Sequence, residues 1–367
     1  MRPLHILMLL MALAALALVV LSPVQHDYIY YLEHWQLVLG GKDPWSTNNA
    51  YGPLHNVFAL LVAIHPIAPR ILTGGLFLIA SIALVLALDT RRPTAEWSPI
   101  FLSAIGLNAL VVFSVYVYGL NDGLIAALVI GAVFARLRSK LLLAGFLLGL
   151  ATLDKYYPAL LIPFFAMDAR KIELRLVLSS LLTVAIGLIA ATLIWGTLWL
   201  EAVTYGVSRD ATLLSILRPI TALGRAAGVG DLVDLLVRFN GPLVLLTWLA
   251  AIALAWTRRD NWLVSATWGL FAVLLVYKVG NPQFWVTWLA LCACLPLLNS
   301  PEPDRLARLS LPYAWFLTIF ELGYALLEPR YYQGSLLWVV QWVGLPSFIL
   351  GATMLVLWFR PASRRPA

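Results

Sequence analysis

Charge is what this chain has least of. Only 12% of its 367 residues are Asp, Glu, Lys or Arg, while 62% are hydrophobic and mean hydropathy is +0.87. A soluble domain carries about 25% charged and about 45–50% apolar residues. A water-soluble fold is therefore excluded, because no interior of this size hides so much apolar surface; lipid solvates it directly. Cysteine is nearly absent as well. Cys292 and Cys294 lie inside one apolar run. A C-x-C pair is a poor zinc site and makes a strained disulfide on one helix, so both read as small core residues. No internal repeat is detectable, which removes the duplicated halves of many secondary transporters. Net charge is +7, yet the basic residues stand in short clusters between apolar runs. There they act as topology signals and not as a nucleic-acid surface.

What the chain does have is a series of apolar runs. A spanning helix takes about 20 apolar residues. Runs at 4–24, 71–88, 99–118, 124–137, 141–153, 174–195, 242–256, 263–279, 284–298, 309–327 and 336–359 meet or approach that length. Two shorter runs, 54–64 and 158–167, read as re-entrant or partial segments. The expected fold is an all-α integral membrane protein, a polytopic helical bundle of roughly 11 to 13 segments. It forms one membrane-embedded domain over residues 1–367. The first run is too long for a signal peptide, carries Arg2 alone, and lacks a small-x-small site at Ser22-Pro23, so it reads as a first transmembrane helix with its N-terminus inside.

Basic clusters occur at Arg91-Arg92, Arg136/Arg138/Lys140, Arg170/Lys171/Arg175, Arg258-Arg259, Arg305/Arg308 and Arg360/Arg364/Arg365. All fall on the cytoplasmic side of a cell membrane if the 54–64 run dips in and returns. The polar segments 25–52 and 196–241 then become outer loops.

The first outer loop opens with Gln25-His26-Asp27 and continues through an aromatic-rich stretch to Gly40-Gly41, which reads as a short surface helix. Asp27 at its start has two compatible readings. It caps backbone N–H groups, or, beside His26, it is a carboxylate able to take the proton of an acceptor hydroxyl. Tyr51-Gly52-Pro53-Leu54-His55 is a turn feeding an apolar segment; His55 is either a satisfied structural histidine or a substrate contact. Asn121-Asp122 sits in a polar break between two runs. Asp154-Lys155-Tyr156-Tyr157-Pro158 sets an acid and a lysine between apolar runs, as an internal charge balance or as functional charge at membrane depth. Lys278-Val279-Gly280-Asn281-Pro282-Gln283-Phe284 closes another run. Lys278 either snorkels to the interface or, with Lys155, marks an anion site on the outer face.

At these residues the chain resembles the GT-C class of membrane glycosyltransferases, and most of all glycosyltransferase family 87, the polyprenyl-phosphate-mannose-dependent mannosyltransferases. The resemblance rests on Asp27; on Tyr51, Pro53 and Leu54; on Gly119, Asn121 and Asp122; on Lys155, Tyr157 and Pro158; and on Lys278, Asn281, Gln283 and Phe284. It spans residues from about 20 to 300. Where the family usually has Gly-Gln ahead of the Asp, this chain has Gly119-Leu120-Asn121. The resemblance implies an inverting transfer of mannose or another hexose from a polyprenyl monophosphate to an acceptor hydroxyl on a lipid, glycan or protein at the outer face. It makes Asp27 the general base and Lys155 and Lys278 the groups that hold the donor phosphate. His26, Tyr51, His55, Asn121, Asp122, Tyr157, Asn281 and Gln283 become substrate contacts. No cofactor is implied, a metal is optional with a monophosphate donor, and membrane lipids are the surroundings. The alternatives are a lipid-linked sugar flippase or other transporter, a non-catalytic assembly subunit, or a transferase of a pentose or aminosugar.

Overall fold

The computed structural model describes the chain apart from residues 1, 2, 26, 48, 169, 170, 333–336 and 361–367. His26 and the basic residues Arg2, Arg170, Arg364 and Arg365 lie outside the described residues. The expected all-α polytopic fold is what forms. The chain is helical nearly throughout, and the described strands are two pairs of two-residue segments.

Among the described residues five helices are long and apolar enough to cross a membrane: Ala68–Asp89, Leu174–Trp195, Asn240–Arg258, Pro301–Leu327 and Val340–Phe359. A sixth span is broken. Thr94–Gly106 and Ala109–Val117 meet at 42°, where the sequence shows one unbroken run. Asn108 is the cause. Its Oδ1 accepts from the N–H groups of Leu110 and Val111, and its Nδ2 donates to the carbonyls of Ser103 at 2.8 Å and Ala314 at 3.0 Å. A side-chain amide thus takes the place of backbone partners, and π-helical turns flank the break at Leu102–Gly106 and Val112–Val117. The remaining runs fold as shorter apolar helices, among them Leu141–Asp154, Tyr157–Ala166 and Trp262–Val276. Charged residues and prolines end them before a full bilayer thickness. The stretch Pro53–Val62 is about 15 Å of helix, half the bilayer core of about 30 Å. That length suits a segment that dips and returns.

Helix Leu141–Asp154 packs closely on Leu174–Trp195. Gly145 and Gly149 make the approach possible: a Cβ on Gly145 would stand 2.3 Å from the Leu176 carbonyl oxygen. Ser180 Oγ donates to the Gly145 carbonyl at 3.0 Å across the same seam. Small residues spaced by four are the usual means of bringing helices together in lipid. The opposite face of Leu174–Trp195 leaves Leu178, Leu182, Ile186, Ile189 and Leu193 exposed, as a lipid-facing helix should.

The bundle has two chemically different ends. Asp122 opens the Asp122–Leu137 helix and Arg138 closes it, about 24 Å away. Asn240 opens Asn240–Arg258, and its Oδ1 accepts from the Lys278 N–H at 2.8 Å, so Lys278 and Arg258 also mark opposite ends. At the arginine-rich end Arg92 pairs with Asp304 at 2.8 Å and Arg258 with Glu302 at 3.9 Å. Not every arginine follows that pattern: the 196–241 loop at the other end carries several, and Arg70 is buried there. Arg70 donates to the carbonyls of Leu18 (3.0 Å), Ser22 (3.1 Å) and Tyr116 (2.8 Å). It satisfies the last carbonyls of the first helix, Pro3–Leu21, and so fixes where the next helix begins.

Candidate active site

Pro23 ends the first helix and Asp27 opens the next, Asp27–Leu39. Gly40-Gly41 closes it as expected: Gly41 adopts φ +66°, and the Lys42 N–H donates to the Leu37 carbonyl at 2.8 Å. Tyr28, Tyr31 and Trp35 recur at helical spacing and are fully buried. Tyr28 Oη donates to the Pro66 carbonyl at 2.8 Å, and Trp35 Nε1 to the His55 carbonyl at 2.7 Å. The helix is thereby clamped onto the 53–62 segment and the turn that follows it. Asp27, half-buried, accepts from Gln283 Nε2 at 3.2 Å. It stands within the first helical turn, where an acid also complements the helix dipole.

The Tyr51-Gly52-Pro53 turn docks on the end of Leu141–Asp154. Asn49 Oδ1 accepts from the Tyr51 N–H at 2.9 Å, and the Gly52 N–H donates to the Asp154 carbonyl at 2.8 Å. A Cβ at position 52 would lie 2.2 Å from the Leu153 carbonyl oxygen, so only glycine permits the contact. Tyr31 Oη donates to Tyr51 Oη at 2.9 Å, and the Tyr51 ring stacks on His55 at 4.6 Å. Asn121 Nδ2 reaches both Asp154 Oδ1 at 2.9 Å and His55 Nδ1 at 2.8 Å. Since the amide is the donor in both, the network assigns the His55 proton to Nε2. Beside it Lys155 Nζ meets Asp122 Oδ2 at 2.6 Å. The ammonium lies 4.9 Å from the Tyr51 ring centre and 5.1 Å from that of Phe284. The two side chains of the pair are 8% and 0% exposed. Charges buried this deeply persist only when paired.

The last motif folds against the 196–241 loop. Helices Leu200–Ser208, Leu217–Ala226 and Gly230–Arg238 form within that loop. Strand Thr212–Leu213 runs parallel to Val279–Gly280. The Thr212 N–H donates to the Lys278 carbonyl and Thr212 Oγ1 to Asn281 Oδ1, both at 3.0 Å. Burial lowers the Lys278 pKa, and the Asp210 charge opposes that. Tyr157 Oη is 2.6 Å from Thr287 Oγ1, and its ring centre is 5.4 Å from that of Phe284.

All five motifs read from the sequence therefore meet at one end of the bundle. They divide by accessibility. His55, Asn121, Asp122, Lys155 and Lys278 are buried, and Tyr51 and Gln283 nearly so. Asp27, Tyr157 and Asn281 remain half-buried at the rim. Sequence reasoning passed over Tyr31, Trp35, Arg70 and Thr212. The first two carried a signal, because Asp27, Tyr31 and Trp35 are spaced by four. Arg70 and Thr212 carried none, since their partners are distant backbone and side-chain atoms. Burial sets the electrostatics of this layer: it pulls His34 down to about 4, with a bond to the Thr47 backbone pushing the other way, and it holds the Tyr51 phenol well above its ordinary value.

The model of glycosyltransferase family 87 matches residues 49–277, more than half of the chain. The match takes in Tyr51, His55, Asn121, Asp122, Lys155 and Tyr157. It begins after Asp27 and ends one residue before Lys278. Among curated proteins no match is found. The convergent motifs, the polytopic helices and the family match agree: this multi-pass membrane protein is a glycosyltransferase, and the chain belongs to glycosyltransferase family 87.

Proposed function

We propose that the protein transfers a hexose, mannose or a close relative, from a polyprenyl monophosphate to an acceptor hydroxyl, with inversion at the anomeric carbon. The acceptor oxygen gives its proton to Asp27 and bonds to C1 of the sugar. The C1–O bond to phosphate breaks, and the electron pair leaves with the polyprenyl phosphate. A positioned base of this kind contributes about 10²–10⁴-fold. The observation that carries the reading is the contrast among the motif carboxylates. Asp122 and Asp154 are fully buried and held by Lys155 and Asn121, whereas Asp27 stays half-exposed with Gln283 orienting one oxygen. Lys155 and Lys278 supply fixed positive charge behind the reacting centre, where it opposes the charge developing on the leaving phosphate. The end that carries Arg92, Arg138, Arg258 and Arg305 is read as cytoplasmic by the positive-inside rule, which supports an extracytoplasmic Asp27.

The test uses purified full-length protein in nanodiscs with membrane glycolipid extract as acceptor. Radiolabelled β-linked polyprenyl-phosphate mannose should donate its sugar and yield an α-linked product by NMR. A nucleotide sugar should donate none. Transfer from the nucleotide sugar alone, or retained anomeric configuration, contradicts the proposal.

A further inference from the structure

The cations named so far are already engaged. Lys155 is sealed against Asp122 at 2.6 Å, and Lys278 is buried, its backbone bonded to Asn240 and Thr212. A phosphate arriving at the rim needs a charge that can reach it. The 196–241 loop brings one. Thr212 is pinned by its backbone to Lys278 and by its hydroxyl to Asn281, both at 3.0 Å, so residues just before it are held against the rim. Gly280 allows this approach, since a Cβ there would stand 2.2 Å from the Ser215 nitrogen. Arg209 lies three residues upstream, half-buried, with its guanidinium carbon 5.6 Å from the Tyr205 ring centre. No carboxylate among the described residues comes within ion-pair distance of it. The charge reaches two site phenols from different elements. Burial raises Tyr51 and Tyr277, and Arg209 draws both back down. Tyr51 flanks Lys155, and Tyr277 lies 6.1 Å from Phe284, ring centre to ring centre.

We infer that Arg209 is the cation that engages the phosphate of the lipid donor, and that the 196–241 loop straps it over the reaction centre. The inference rests on the transferase reading above. A planar guanidinium offers two parallel N–H bonds to a phosphate, which a lysine does not.

Two measurements on full-length protein in nanodiscs separate this inference from that reading. Binding of polyprenyl monophosphate, followed by thermal shift, should weaken about 10- to 100-fold in Arg209→Gln, the range for a lost charged hydrogen bond. In turnover assays with polyprenyl-phosphate mannose, the same variant should raise the donor KM by that factor with a smaller change in kcat. Arg209→Lys should fall between. Arg225→Gln, an exposed arginine of the same loop paired with Asp234, should leave both unchanged. If Arg209→Gln binds and turns over like the wild type, or if Arg225→Gln weakens binding equally, the assignment is wrong. A wild-type chain that binds polyprenyl monophosphate through Arg209 but transfers no sugar would keep the site and sink the transferase reading. A wild-type chain that binds no polyprenyl monophosphate would sink the Arg209 assignment directly.

Discussion

Asp27 and Asp122 lie at the same end of the bundle, Asp27 half-buried with Gln283 at 3.2 Å, Asp122 fully buried with Lys155 at 2.6 Å. Both stand in the first turn of a helix. Their surroundings differ in what they allow. Asp122 is held in a buried layer with Asn121, His55, Asp154 and Tyr51, where Lys155 meets Asp122 and Tyr51 and Asn121 meets His55 and Asp154, linking three segments. Asp27 sits on the rim of that layer, oriented but still reachable. The comparison teaches that carboxylates of neighbouring motifs can differ in access, one sealed by an ion pair and one left reachable. In the proposed reading the inner layer holds the rim in place, and the rim carries the chemistry.

The comparison breaks most visibly if the inner layer is cut. Asp122→Asn strands a buried lysine, and Lys155→Met strands a buried carboxylate. Each should cost about 3–5 kcal/mol of stability. Loss of activity in either variant therefore says little about phosphate binding until folding is measured. Replacing both partners with apolar residues, Asp122→Leu with Lys155→Met, should recover much of that loss. Thermal unfolding in nanodiscs decides the matter. A double variant no more stable than the singles would show that the pair does more than balance charge.

A smaller effect should appear with pH. Burial holds the His34 pKa at about 4 in the folded chain, against about 6.5 when unfolded. As pH falls below the unfolded value, the unfolded chain takes up the proton first, so stability drops until the folded pKa is reached. From pH 7 to pH 5 His34 should account for a loss of about 2 kcal/mol. Comparing wild type with His34→Gln across that range isolates the contribution, and equal slopes would refute it.

Much of this was legible in the sequence. The sparse charge announced the membrane, and the order of Asp27, Tyr51, Asn121-Asp122, Lys155 and Lys278 marked the motifs that the fold brings to one end. The Gly40-Gly41 stop of the surface helix was legible too, because glycine at positive φ is a local signal. The break at Asn108 was not, because one polar residue in an apolar run gives no hint that its amide will bond Ala314, 206 residues away. The pairing of Lys155 with Asp122 was hidden for the same reason. Adjacent residues drew attention to Asp154 as the counter-charge, yet the fold gives Lys155 to Asp122 and gives Asp154 to Asn121. Arg209 fell within a polar loop whose strand pairing with Val279–Gly280 exists only once both segments are folded.

The division between rim and inner layer is tested most directly by Asp27→Asn, read for folding and for turnover in the same nanodiscs. Asparagine caps a helix about as well as aspartate and still accepts from Gln283, but it takes no proton. The account predicts an unchanged unfolding temperature, retained binding of polyprenyl monophosphate, and sugar transfer reduced about 10²–10⁴-fold. A well-folded Asp27→Asn protein with near-normal turnover would contradict it and leave Asp27 as a helix-terminal acid only.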